Sequence, residues 1–333
     1  MADQLILPRP GSSFEPRAPI PAPSEEVFTS TFGALLPRAQ YITTPAGKAA
    51  YYTFPATNPG FPPSGSKIPK KILLVHGVQT PALGLLPLIS ALRSSFPSTE
   101  FATLDLWGHG LSATPFLPHE GALFHGLIDA VLAELGWKNE SGVGLVGYSF
   151  GAVLTMGYLT SFPCAASVDS FVLVAPAGLV RASCFSDDEK ALLAPSCLPQ
   201  DEARARDFVV ATLEGDPLPI KVPENWQVKV ARGEVVAQAV KEWEMKNHAG
   251  HAASVVGVFR DGGVIDNDQL FVEAKKLGLP ALVVLGENDG LSTEKGIADF
   301  GFDVKVVLAA GHAVVRENAV EVAEYISQFW LAM

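Results

Sequence analysis

Residues 142–152 read GVGLVGYSFGA. An apolar run through Val143, Leu145 and Val146 ends at a lone serine, Ser149, with Gly147 two residues before it and Gly151 two residues after. A turn that merely reversed the chain would need one glycine at most. Glycines at both −2 and +2 point to a tight strand-to-helix elbow, where the serine takes an unfavourable backbone conformation and side chains at the flanking positions would collide. The helix opening at Phe150 then directs its positive end and free N–H groups at whatever charge develops beside the serine. The same stretch also spells GxGxxG, Gly142 to Gly147, with Asp169 downstream. A dinucleotide fingerprint follows a strand, whereas this one lies inside a strand and Asp169 precedes the next one. No nucleotide cofactor is expected.

On both sides of the elbow, short β-rich apolar runs alternate with segments long enough to be helices. KKILLVHG precedes a helix near 83–95, EFATLDL one near 120–136, and SFVLVAPA a long insert; ALVVLGEN, VKVVLAAG and a final helix follow. Continuous apolar strands separated by helices require a mostly parallel sheet covered on both faces, so the fold class is doubly wound α/β. Ahead of it, AQYITTPAGKAAYYTF reads as two strands turning at Pro45-Ala46-Gly47, and the loop PATNPGFPPSGSKIP leads into the sheet. Six prolines among the first 23 residues make the start an extended arm rather than a helix. Strands stop between Pro176 and Pro280. There, Ser186 with Glu189 opens a helix by a capping box, DEARARDFVVATLEG ends at Gly215, and a further helical run breaks at Gly250. The resulting division is an arm over 1–38, a core over 39–178 and 262–333, and a helical cap over 179–261.

Composition narrows the function. A chain of 333 residues buries roughly three quarters of its unfolded surface and needs no disulfide or metal staple. A net charge of −11 and a pI near 5.1 argue against nucleic-acid or anionic-membrane partners, which are bound through Lys and Arg. Three cysteines form no CxxC pattern. The start carries an acidic residue where a signal peptide would be basic, and a cytoplasmic location is expected. His248 and His251 lie one helical turn apart but lack the carboxylate of HExxH, so no metal is expected.

Ligands of open parallel sheets bind beyond the carboxyl ends of the strands. Those ends carry His76-Gly77-Val78, Asp105, Ser149, Glu287 with Asp289, and His312. A serine hydroxyl needs a base to take its proton, and the base needs a third group to fix its tautomer.

The blocks LLVHG, LDLWGHGLS, LVGYSFGA, VLGENDG and AAGHAVVRENA, in this order, resemble the α/β-hydrolase family over residues ~40 to 333. By that resemblance Ser149 is the nucleophile, Asp289 in GxxD the acid, with Glu287 as its competitor, and His312 the base. The backbone N–H groups of Val78 and Phe150 would form the oxyanion hole, while His76 and His109 shape turns. Ala152 stands where many members have a second glycine, and Tyr148 where lipases often have histidine. The resemblance implies hydrolysis of an ester, thioester or lactone through an acyl-enzyme. The same scaffold also serves C–C bond cleavage, cyclisation or elimination, and ligand-binding receptors. Trp243, Met245, Val255 and Phe259, with Gln79 and Ala313 flanking the oxyanion and base positions, lead us to expect a mostly apolar pocket for a small or medium substrate. The expected partners are that small molecule and, through the arm or cap, a second copy of the chain.

Overall fold

A computed structural model describes residues 5–58, 68–138, 140–162, 168–214 and 221–333. The loop expected at 55–69 and the helix end at Gly215 therefore fall partly or wholly outside the described residues. Eight strands form one sheet: β1 (Gln40–Thr44), β2 (Gly47–Phe54), β3 (Lys71–Val75), β4 (Glu100–Leu104), β5 (Val143–Tyr148), β6 (Val168–Val174), β7 (Ala281–Gly286) and β8 (Asp303–Val307). Their order across the sheet is β1-β2-β4-β3-β5-β6-β7-β8. β2 runs antiparallel to both β1 and β4, and all other neighbours are parallel. β3 has β4 on one side and β5 on the other, so the direction of winding reverses at β3 and opens a crevice beyond its carboxyl end.

Thirteen α-helices are assigned among the described residues. They are α1 (Glu25–Phe32), α2 (Leu86–Ser95), α3 (Gly121–Glu134), α4 (Phe150–Ser161), α5 (Asp187–Leu193), α6 (Glu202–Glu214) and α7 (Trp226–Ala231), then α8 (Ala237–Asn247), α9 (His251–Asp261), α10 (Asp268–Lys276), α11 (Glu294–Ala298), α12 (Val314–Glu317) and α13 (Ala319–Ala332). None is long and apolar enough to cross a membrane.

Strand side chains alternate between faces, and that alternation sorts the apolar residues into two cores. Leu73, Val75, Leu145, Phe171 and Leu173 pack with Phe124 and Leu127 of α3 and with α4. Ile72, Leu74, Val146, Val172 and Val174 pack with Leu88 and Leu92 of α2 and with Ile326 and Trp330 of α13. α4 is buried from Phe150 to Leu159, which is why FGAVLTMGYL carries no charge. Between β6 and β7 the chain forms α5 to α10. α5 has the expected capping box at Ser186 and Glu189, and the helical run breaks at His248–Gly250 between α8 and α9.

The arm is extended over its prolines, as expected, and gains a helix after them. This is α1, capped by the Ser24 side chain, whose Phe28 and Phe32 are buried against Trp243 at centroid distances of 5.1 and 6.0 Å. Helical spacing puts Phe28 and Phe32 on one face, and that face seals the apolar side of α8. Nearer its start, Ile20 bridges to Thr114, and Arg9 donates to Asp261 Oδ1 at 2.8 Å and to the carbonyls of Leu193 and Ala194.

Candidate active site

The elbow after β5 has the geometry its glycines demand. Ser149 sits at φ 54°, ψ −117°, outside the relaxed regions for a residue with a Cβ. A Cβ on Gly147 would fall 2.6 Å from both Ala152 Cα and Thr155 Oγ1, and one on Gly151 would fall 2.6 Å from the His76 carbonyl oxygen. Backbone bonds hold the serine in place: its N–H donates to Val174 O at 3.0 Å, and its carbonyl accepts from Ala177 N–H at 3.1 Å.

Loops after β7 and β8 bring the other two groups to it. His312 Nε2 lies 2.9 Å from Ser149 Oγ, and His312 Nδ1 lies 3.0 Å from Asp289 Oδ2 and 3.2 Å from Oδ1. A ring whose Nδ1 faces a carboxylate keeps its proton there and leaves Nε2 as the acceptor, so the serine O–H is the donor to it. Asp289 Oδ1 also accepts Leu291 N–H at 2.9 Å, which fixes the carboxylate. Glu287 instead accepts Ala309 N–H at 2.8 Å and has no contact with His312. A hydroxyl, a base within reach of its proton and an orienting carboxylate are thus assembled from three strand ends. Such a set can generate an alkoxide-like nucleophile on demand.

The loop after β3 faces the serine and is held from below. Gln79 has φ 72°, and its N–H donates to His109 Nε2 at 3.2 Å. His109 Nδ1–H in turn donates to Trp107 O, while His76 donates from Nδ1 to Gly77 O at 2.6 Å and accepts Leu106 N–H at Nε2. Both rings are buried; burial lowers His76 to about 4 and takes His109 well below the usual histidine range, so they stay neutral. Among the described residues, neither Val78 N–H nor Phe150 N–H has an acceptor.

Asp105, at the end of β4, belongs to this support rather than to the cleft. It accepts Ala82 N–H and Leu111 N–H at 2.9 Å each and the Tyr52 hydroxyl at 2.8 Å, and burial raises it to about 6. The insert grips the following loop with buried polar groups. Glu244 accepts Gly110 N–H at 3.0 Å, His248 bonds Ser112 O, His251 donates to Gly108 O and Ser254 to Trp107 O. His248 and His251 are therefore loop anchors.

A cleft of about 290 Å³ opens over Ser149 and His312. Gln79 and Ala313 line it, along with Val78. Trp243 does not, because α8 turns it away into the α1 contact, and Val255 and Phe259 are core residues; Met245 is exposed. The apolar pocket expected from these residues is accordingly not what forms. The lining is mixed, with Thr80, Tyr148, Lys241, Arg316 and Glu317 beside Leu213 and Leu291. Sequence offered one signal for Arg316: it follows His312 by four residues in a block already tied to the site. Lys241 carried none.

Comparison with known proteins fits this architecture. A family model described as the alpha/beta hydrolase family matches residues 72–325. No curated protein matches the chain by sequence. Among solved structures, an esterase from Thermogutta terrifontis is 17% identical with a TM-score of 0.60, over 88% of this chain and 97% of that one. The enol-lactonase from Burkholderia xenovorans LB400 is 16% identical with a TM-score of 0.60, over 87% and 99%. A haloalkane dehalogenase from Agrobacterium tumefaciens C58 is 15% identical with a TM-score of 0.65, over 91% and 99%. At such identities these three share the fold. With the family model spanning most of the sheet, the elbow and the strand-end loops, the chain belongs to the alpha/beta hydrolase family.

Proposed function

We propose that the protein is a serine hydrolase that cleaves an ester, thioester or lactone through an acyl-enzyme on Ser149. The observation that carries this reading is the continuous contact from Ser149 Oγ through His312 to Asp289, at 2.9 and 3.0 Å, set on an elbow with a positive φ. His312 takes the serine proton as Oγ attacks the carbonyl carbon, then passes it to the leaving group as that bond breaks. Water follows the same route in the second half: His312 deprotonates it, the acyl carbon is attacked, and Ser149 leaves with the proton. Asp289 holds the ring and stabilises the imidazolium in each half. Val78 N–H and Phe150 N–H, both without acceptors among the described residues, meet the tetrahedral oxyanion, the second with the aid of the α4 dipole. A serine at the elbow favours this chemistry over the alkyl-enzyme route of an aspartate nucleophile.

The test is turnover of p-nitrophenyl acetate and butyrate with labelling by a fluorophosphonate probe. Both are expected in the wild type, and Ser149→Ala should abolish labelling and lower kcat/KM by about 10⁴-fold or more. A correctly folded wild type that takes no label rules out the nucleophile.

A further inference from the structure

Arg316 lines the same cleft as Ser149. Its guanidinium sits over the Tyr148 ring, 5.5 Å from the centroid, and Nη2 donates to the Tyr148 hydroxyl at 3.4 Å. Nη1 is buried with no acceptor, and among the described residues Arg316 forms no ion pair. A guanidinium carries five N–H donors and does not release its proton at any ordinary pH. One long bond to a neutral phenol leaves most of that capacity unused, and a partly desolvated cation without an anion is costly.

Other sequestered arginines of this chain are treated differently. Arg260 holds both Glu202 oxygens, at 2.8 and 3.0 Å, and the Leu192 carbonyl. Arg9 holds Asp261 and two carbonyls. Arg316 alone of these three faces the catalytic cleft, and it alone lacks a carboxylate. A guanidinium at the cleft of a chain with net charge −11 offsets the repulsion an anionic substrate would otherwise meet there.

We propose that Arg316 anchors an anion subsite and that the substrate is a carboxylate-bearing ester or thioester. The planar fork of a single guanidinium matches the two oxygens of a carboxylate in bidentate fashion. This rests on Ser149 being the nucleophile; the subsite itself does not, and the two are tested separately.

Two matched pairs of esters read the subsite. 4-Nitrophenyl hydrogen adipate against 4-nitrophenyl hexanoate places the charge on the acyl side, and 4-butyryloxybenzoate against methyl 4-butyryloxybenzoate places it on the leaving group. In at least one pair the wild-type kcat/KM should favour the anion by about tenfold or more, and Arg316→Gln should bring that ratio to about one, with Arg316→Lys between. If Arg316 only props Tyr148, both members of each pair fall together and the ratio is unchanged; that result overturns the proposal, as does a wild-type preference for the neutral ester in both pairs. Calorimetry with adipate and 4-hydroxybenzoate on the Ser149→Ala protein supplies the arm that needs no turnover. Binding of either that is lost on adding Arg316→Gln supports the subsite even if no ester is cleaved, in which case the hydrolase reading fails alone. Binding indifferent to Arg316 sinks the subsite.

Discussion

A methyl group on Gly147 would lie 2.6 Å from Ala152 Cα and Thr155 Oγ1, and neither the α4 backbone nor a threonine buried under it can withdraw. Gly147→Ala should therefore cost about 3 kcal/mol by overpacking and, by shifting the elbow, remove fluorophosphonate labelling. Gly126, inside α3 and exposed, is the internal contrast, since nothing stands within 4 Å of a Cβ built there. Gly126→Ala should stabilise by about 0.5–1 kcal/mol with activity intact. Thermal melts of the two variants decide it; equal effects would mean that close approach is not what holds glycine at the elbow.

At the scale of elements, the corner between α8 and α9 grips residues 107–112 through four buried polar side chains. Glu244 is the least ordinary of them. Burial first, and then the charge of Asp105, push its carboxyl well above the usual range. A neutral carboxyl is replaced at little cost by an amide, which still offers an oxygen to Gly110 N–H. Glu244→Gln should shift stability by less than about 1 kcal/mol, whereas Glu244→Ala, which leaves that N–H unpaired beside a void, should cost about 2–4 kcal/mol. Urea midpoints read the difference; a Gln variant as damaged as the Ala variant would show that an ionised carboxylate is needed. This grip also marks how far the sequence could be read. Ser149, Asp289 and His312 were legible because each stands beyond a strand run in a block that resembles the family's, and it was the resemblance that set Asp289 ahead of Glu287. The grip was not, because His248 and His251 acquire their partners from a loop more than a hundred residues earlier. Trp243 misled for the same reason: an aromatic residue in an insert reads as pocket lining until Phe28 and Phe32 are seen to cover it. α1 did leave a trace, Ser24 ahead of two glutamates and a Phe pair four apart, but the prolines before it drew the reading toward an extended arm.

Over the whole molecule, six of the seven histidines are buried, and burial is the first cause of a lowered pKa for each. His76, His119 and His125 are brought to about 4 and His251 to about 3. Between those values and the unfolded value of 6.5 the unfolded chain binds protons that the native chain refuses, so stability falls as pH drops through that window. Asp105 works in the opposite sense: raised from 3.8 to about 6, it keeps a proton in the native chain, a contribution present at low pH and lost as pH rises. Glu244 acts in the same direction as Asp105. The histidines outnumber these two carboxyls, and the net expectation is a lower stability at pH 5.5 than at pH 7.5. Urea midpoints at the two pH values test it, and an equal or higher midpoint at pH 5.5 would count against it.

The bond from Arg9 to Asp261 spans 252 residues. During synthesis at roughly 5–20 residues per second, the arm would emerge tens of seconds before the helix it fastens. The earlier-made segment is thus late to dock, because Arg9, Phe28 and Phe32 meet their partners only once the insert has been made. Such an arm works as a late latch on a body already formed, and its prolines, which keep it extended and deny it strand pairing, suit a segment that must stay idle without aggregating.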